Sequence, residues 1–242
     1  MRAETRHQLK QDRFSKVTFE AAEKTANWSA EHQSTLIITA IAVVVVAAIA
    51  IGGWYYMNQQ DEKASSELST ALRTFETAIR PAGMPPQPGI DSFASAQERA
   101  TAARKQFQAI VDKYPHTHTA DMARYFVGLA AAQLGDNAAA ERNLQEAAHS
   151  SNSDLAALGR FALASAYLAE NKNAQAVDLY KQLIDKPTLV VSKATAQFEL
   201  AAFYESQHKP DEAKKLYEQI AKDNPSTEAA SLAQRKITAL KQ

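Results

Sequence analysis

The sequence contains no cysteine. That excludes structural disulfides, thiolate metal sites and thiol nucleophiles, although a chain without cysteine suits either side of a membrane. Glycine (7) and proline (8) are scarce while alanine is abundant. This balance favours helix, because Ala costs a helix least and Gly and Pro cost it most. The few glycines never assemble a G-x-G-x-x-G or phosphate-cradling loop, and no G-x-S-x-G elbow occurs, so nucleotide binding and serine-hydrolase chemistry are unsupported. Neither charge prevails, with 27 Lys plus Arg against 27 Asp plus Glu. A neutral chain lacks the basic field that nucleic acid requires. The expectation is an all-α protein that is not an enzyme and needs no cofactor, nucleic acid or small-molecule substrate.

What the chain does have is one long uncharged run. No charged side chain occurs from Gln33 to Gln60, and Leu36 to Tyr56 is almost wholly apolar. At ~1.5 Å per residue such a helix spans about 30 Å, the thickness of a bilayer core. The β-branched run Val43 to Val46 discourages a helix in water, but in lipid the backbone must satisfy its own hydrogen bonds. Trp54, Tyr55 and Tyr56 stand where an interfacial aromatic belt belongs. A buried soluble helix is rarely uncharged for so long. A cleaved signal peptide has a shorter leading tail and a shorter apolar core. The spacing therefore predicts an uncleaved transmembrane helix over 35–57, contacting lipid. The tail 1–34 carries Arg2, Arg6, Lys10, Arg13, Lys16 and Lys24, whereas 57–91 carries Lys63, Arg73 and Arg80. The bias places the N-terminus in the cytoplasm and the C-terminal domain outside it. Within the tail, Phe14, Val17, Ala21 and Trp28 recur at near-helical spacing. Both a membrane-surface amphipathic helix and a loosely ordered tail fit that pattern.

After the span, a helix is expected over 58–80, with Leu68, Leu72, Phe75 and Ile79 on one face. A Pro-rich loop follows over 81–92, where four prolines between Pro81 and Pro88 forbid helix. Residues 93–242 are repetitive. Asp121–Ala147, Ala157–Leu183 and Ala194–Ile220 align at shifts of 36 and 37 residues, and Ala103, Phe107 and Ile110 form a partial fourth copy. Each copy reads as two helices. The first carries a small residue at its middle (Gly128, Ala164, Ala201). The second carries a small residue, then an aromatic or Leu, then an apolar residue, at offsets of four and three that share a face. Breaks fall at Pro115, Gly135, Asn171, Pro187, Pro210 and Pro225. Residues 226–241, with Leu232, Ile237 and Leu240, read as a terminal capping helix.

This pattern of small, aromatic and proline positions resembles the tetratricopeptide repeat (TPR). Phe107 to Pro115 (FQAIVDKYP), followed by Ala123 to Gly128 (ARYFVG), is similar to TPRs of bacterial envelope proteins such as the YbgF-like and BamD-like chains. The customary Trp near the start of the first helix is replaced by Arg124, Arg160 and Gln197. A short tail, one anchor ending Gly53 to Tyr56, a helix and then TPRs resembles the YfgM-like proteins in layout. That resemblance implies an inner-membrane protein whose periplasmic domain accompanies the Sec translocon and chaperones. It implies partners that are other proteins or unfolded polypeptide segments. A scaffold subunit of a fixed envelope complex, of Tol-Pal or outer-membrane-assembly type, is the alternative.

Binding residues are sought on the first helices, which line the concave face of a TPR solenoid. Tyr125, Phe161 and Phe198 recur there at 36 and 37 residues, with Met122, Leu129, Leu158, Ser165, Leu168, Ala202 and Glu205 beside them. Two readings account for the row: an aromatic groove for extended segments, or packing between neighbouring repeats. His116 and His118, with Asp121 one turn on, are the weak candidates for a metal. Without a fourth ligand no metal site is expected.

Overall fold

The computed structural model describes residues 32–240, so the expected amphipathic segment from Phe14 to Trp28 lies outside it. Among the described residues there are nine α-helices and no strand. The chain forms two compact units, one ending at Tyr56 and one beginning at Met57.

In the first unit, helix α1 (Gln33–Glu76) opens with the apolar run. It is long and apolar enough to cross a membrane, and its most apolar window is wholly unburied. Thr39 donates its hydroxyl to the Thr35 carbonyl at 2.7 Å, so that hydroxyl is satisfied within the helix.

The second unit begins with the rest of α1 and continues through α2 (Ala96–Lys113), α3 (His118–Gln133), α4 (Asn137–Ala148), α5 (Ser153–Ala169), α6 (Asn173–Asp185), α7 (Lys193–Ser206), α8 (Pro210–Asp223) and α9 (Glu228–Ala239). From α2 to α9, helices adjacent in sequence pack on each other. The repeating positions form the core. Ala103, Ala140, Ala176 and Ala213 on the second helices are at most 1% exposed, as are Phe107, Leu144, Tyr180 and Tyr217 and the next apolar residues Ile110, Ala147, Leu183 and Ile220. The small residue lets two backbones approach, and the large one four positions on fills the space beside it.

Local chemistry starts and stops each helix. Ser95, Thr117, Asp136, Asn152, Ser192 and Thr227 cap α2, α3, α4, α5, α7 and α9, each accepting a hydrogen bond from an amide of the first turn. Pro210 opens α8, where its missing N–H costs nothing. First and second helices are joined by one recurring turn. Gly135, Asn171 and His208 have φ of 75°, 59° and 55°, and the next amide reaches back across the turn: Asp136 to Ala131, Lys172 to Tyr167 and Lys209 to Tyr204, at 2.8–2.9 Å. This is a left-handed helix C-cap. Glycine adopts it freely and asparagine tolerably, whereas in a histidine the Cβ crowds the following carbonyl oxygen. His208→Gly is therefore expected to raise stability by about 0.5–1 kcal/mol. Denaturant unfolding would measure it, and an unchanged or lower midpoint would show that His208 is not strained.

The structure differs from the sequence reading at three places. Helix α1 stops at Glu76 rather than near Arg80. Ile79 instead forms an isolated parallel bridge with Phe93, with Arg80 N–H donating to the Phe93 carbonyl (3.0 Å) and Phe93 N–H to that of Ala78 (3.0 Å). These bonds clamp the base of the Pro-rich loop and take the amides that another helical turn would use. The packing also does not begin at 93. Leu68, Leu72 and Phe75 lie against the cluster of Ala64, Ala71, Phe107, Ile110 and Val127, so the end of α1 is the first helix of the first unit pair. Last, α9 buries Ala233 and Ile237, four apart on one stripe, and leaves Leu232 at 39% exposure.

Candidate protein-binding surface

The row Tyr125, Phe161 and Phe198 falls on corresponding turns of α3, α5 and α7. Every ring is half-buried. Phe161 meets Tyr180 edge-on at 6.0 Å, and Phe198 meets Tyr217 at 5.8 Å. Each thus leans on the buried tyrosine of its own pair's second helix. Tyr125 instead meets Phe126 at 5.2 Å, at the rim of a cluster in which Phe107 stacks on Phe126 at 5.0 Å and Phe75 sits edge-on to both. Burial pushes the Tyr125 hydroxyl above its ordinary pKa.

The neighbours of the row divide. Leu129, Leu158 and Leu168 pack on the central core, and Met122 is half-buried. Ser165 and Ala202 are exposed. Ser165 lies beside the row, its hydroxyl donating to the Phe161 carbonyl at 3.2 Å and lying 3.3 Å from the Tyr180 hydroxyl. Glu205 is committed elsewhere. It accepts from Tyr217 at 2.8 Å and from Lys236 at 3.3 Å, joining α7, α8 and α9. Burial, and then this carboxylate, hold the Tyr217 hydroxyl well above its ordinary range.

The Glu205 arrangement is one of three. Glu67 accepts from Lys113 (2.6 Å) and Tyr114 (2.9 Å), and Glu141 from Lys172 (2.6 Å) and Tyr167 (3.0 Å). The lysine hydrogen bond is the main cause holding the Glu67 and Glu141 carboxyls below their ordinary value. These carboxylate–tyrosine–lysine staples were not legible in the sequence, because partners such as Glu67 and Lys113 lie far apart along it.

The histidines converge on nothing. His116 is exposed in the turn before α3, and His118 is exposed at its start. Asp121 is taken by Arg124 at 2.6 Å and approached by the Ser150 hydroxyl at 3.4 Å. Among the described residues no group of three or more His, Asp or Glu is placed to hold a metal. At the positions where TPRs customarily carry Trp, Arg124 pairs with Asp121 and with Glu146 (3.1 Å). Gln197 is fully buried, its amide donating to Gln219 at 3.2 Å and its own oxygen left without a partner.

A family model described as a tetratricopeptide repeat-like domain matches residues 26–242, which includes the apolar helix as well as the repeats. No match was found among curated proteins.

Proposed function

We propose, for a chain that belongs to the tetratricopeptide repeat-like domain family, that it is a membrane-anchored protein-interaction module whose first-helix aromatic row receives extended segments of other proteins. TPR-like domains are in general non-catalytic scaffolds for binding proteins. The observation that carries the reading is the recurrence of a half-buried ring at one position in three successive first helices (Tyr125, Phe161, Phe198). Flat rings supply contact area at low entropic cost, and a partly covered ring retains a face for a partner.

The anchor is the apolar start of α1, which in this reading crosses the bacterial inner membrane with the N-terminus in the cytoplasm and the repeats in the periplasm. The excess of basic residues before the span supports that orientation. The YfgM-like layout supports a role beside the Sec translocon, where emerging chains are unfolded and expose apolar side chains. Met122, Leu129, Leu158, Ser165, Leu168 and Ala202 would border the bound segment.

A photo-crosslinking amino acid in place of Phe161, in living cells, tests the proposal. The expected adducts are translocon subunits together with many exported proteins. A single stoichiometric envelope protein would replace this reading with the fixed scaffold. Cytosolic adducts would overturn the orientation, and the absence of adducts would assign the row to packing between repeats.

A further inference from the structure

The Pro-rich loop between α1 and α2 holds its middle extended. Its base is closed by the bridge of Ile79 with Phe93, and the Arg80 guanidinium adds a bond to the Ser92 carbonyl at 3.1 Å. Two tight turns lie inside that base. Met84 N–H donates to the Pro81 carbonyl at 3.1 Å, and Ile90 N–H to that of Gln87 at 3.2 Å. Gly83 and Gly89 stand third in these turns with φ of 84° and 79°, as a type II turn requires. Between the turns, Met84, Pro85, Pro86 and Gln87 belong to no helix or strand. Met84, Pro85 and Gln87 each precede a proline, which steers them to extended or polyproline II backbone. The ring of Pro86 fixes its φ near the polyproline II value. Pro88, second in its turn, continues the same backbone.

The repeats leave this stretch uncovered. Residues 81–91 are all exposed, including Met84 at 52% and Ile90 at 58%. A Cβ added at Gly83 or Gly89 would meet no atom within 4 Å, so both turns stand in open space. No charged side chain occurs between Arg80 and Asp91. The backbone chemistry is one-sided. Pro85 and Pro86 have no N–H, and the Met84 amide is used in the first turn. Among the described residues none donates to the carbonyls of Met84, Pro85 and Pro86. Three successive residues thus offer acceptors and no free donor. That pattern defeats addition to a sheet edge, which needs donors as well as acceptors. It suits a polyproline II ligand, whose carbonyls accept from side chains of a partner.

We propose that residues 84–90 are a ligand, presented to a partner protein whose groove is lined by Trp and Tyr rings and recognises polyproline II. With three residues per turn and ~3.1 Å per residue, Pro85 and Pro88 share one face about 9 Å apart. Each pyrrolidine ring would sit against aromatic rings of the groove. Indole N–H and phenol O–H groups would reach the free carbonyls, and Met84 and Ile90 would extend the apolar contact. The clamped base and the two turns set the conformation before binding, so little ordering entropy is lost. A lipid surface is a poorer occupant, because the stretch carries neither a basic cluster nor an amphipathic helix. The proposal does not rest on the first-helix row, so crosslinking at Phe161 can fail while this binding holds.

The test places a diazirine amino acid in the full chain in living cells, in place of Gln87 or, as background, of Lys105, which is exposed on α2. Mass spectrometry then sequences the crosslinked segments. Adducts are expected from Gln87 and not from Lys105, on segments of another protein that contain Trp or Tyr. Pro85→Ala combined with Pro86→Ala should lower their yield at least about tenfold. Circular dichroism identifies a variant that fails to fold, and Pro85→Ala and Pro86→Ala singly then stand in for it, each with a loss of at least about threefold. Adducts from Gln87 no more abundant than those from Lys105 would overturn the proposal. So would adducts that survive the alanine substitutions, or that fall on segments without Trp or Tyr, on lipid, or on a second copy of this chain.

Discussion

Replacing Gly159 by alanine is expected to destabilise the repeats by about 3 kcal/mol, whereas the same change at Gly128 should cost no more than about 1 kcal/mol. The two glycines sit in the middle stretches of α3 and α5 and look alike in sequence. They differ in what a new methyl group would meet. At Gly159 the Cβ would lie 2.5 Å from the Ala148 amide nitrogen, 2.7 Å from the Ala147 carbonyl carbon and 2.9 Å from the Ala148 Cα. All three are backbone atoms at the end of α4, so the whole of α5 must move away from α4. At Gly128 the nearest atoms are Leu144 Cγ and Cδ2, at 2.6 and 2.8 Å, and a side chain can turn. Alanine also gains about 1 kcal/mol of helix propensity over glycine. That gain offsets much of the Gly128 cost and little of the Gly159 cost. Denaturant unfolding of both variants, followed by circular dichroism, makes the comparison. Equal losses would mean that the approach of α5 to α4 is looser than 2.5 Å implies.

That difference also marks how far periodicity reads. The second-helix positions stood out because each repeat varies the same side chain within a size class: Phe107, Leu144, Tyr180, Tyr217. The close approach at Gly159 did not, because Ala123 and Ala196 occupy the matching positions and are fully buried, and alanine is too common in this chain to be distinctive. The left-handed turn was visible as an alignment of Gly135, Asn171 and His208. Its backbone requirement was not, since a histidine hides it. The three carboxylate staples depend on which helix ends meet, which spacing along the chain does not encode.

The end of α1 carries the second large effect. A soluble fragment beginning at Met57 is expected to unfold cooperatively, and one beginning at residue 93 to lose at least about 5 kcal/mol or to aggregate. Sequence periodicity alone favours the shorter fragment, because the register of 36 and 37 residues breaks at the Pro-rich loop. The structure shows what that fragment would lack. Without residues 57–92, Phe107, Ile110 and Tyr114 lose the cover of Leu68, Leu72 and Phe75. Exposing each large side chain costs about 1.5–3 kcal/mol. The Thr119 amide loses its acceptor, the Asp61 carboxylate at 2.9 Å, a loss of about 1 kcal/mol at a helix N-terminus. Glu67 disappears from Lys113 and Tyr114. The total rivals the entire stability of an ordinary domain, about 5–15 kcal/mol. Thermal unfolding with light scattering on the two fragments decides the matter. Equal midpoints would mean that the first unit pair is dispensable. A lower midpoint for the shorter fragment would mean that the end of α1, from Met57 to Glu76, is the first helix of the repeat array.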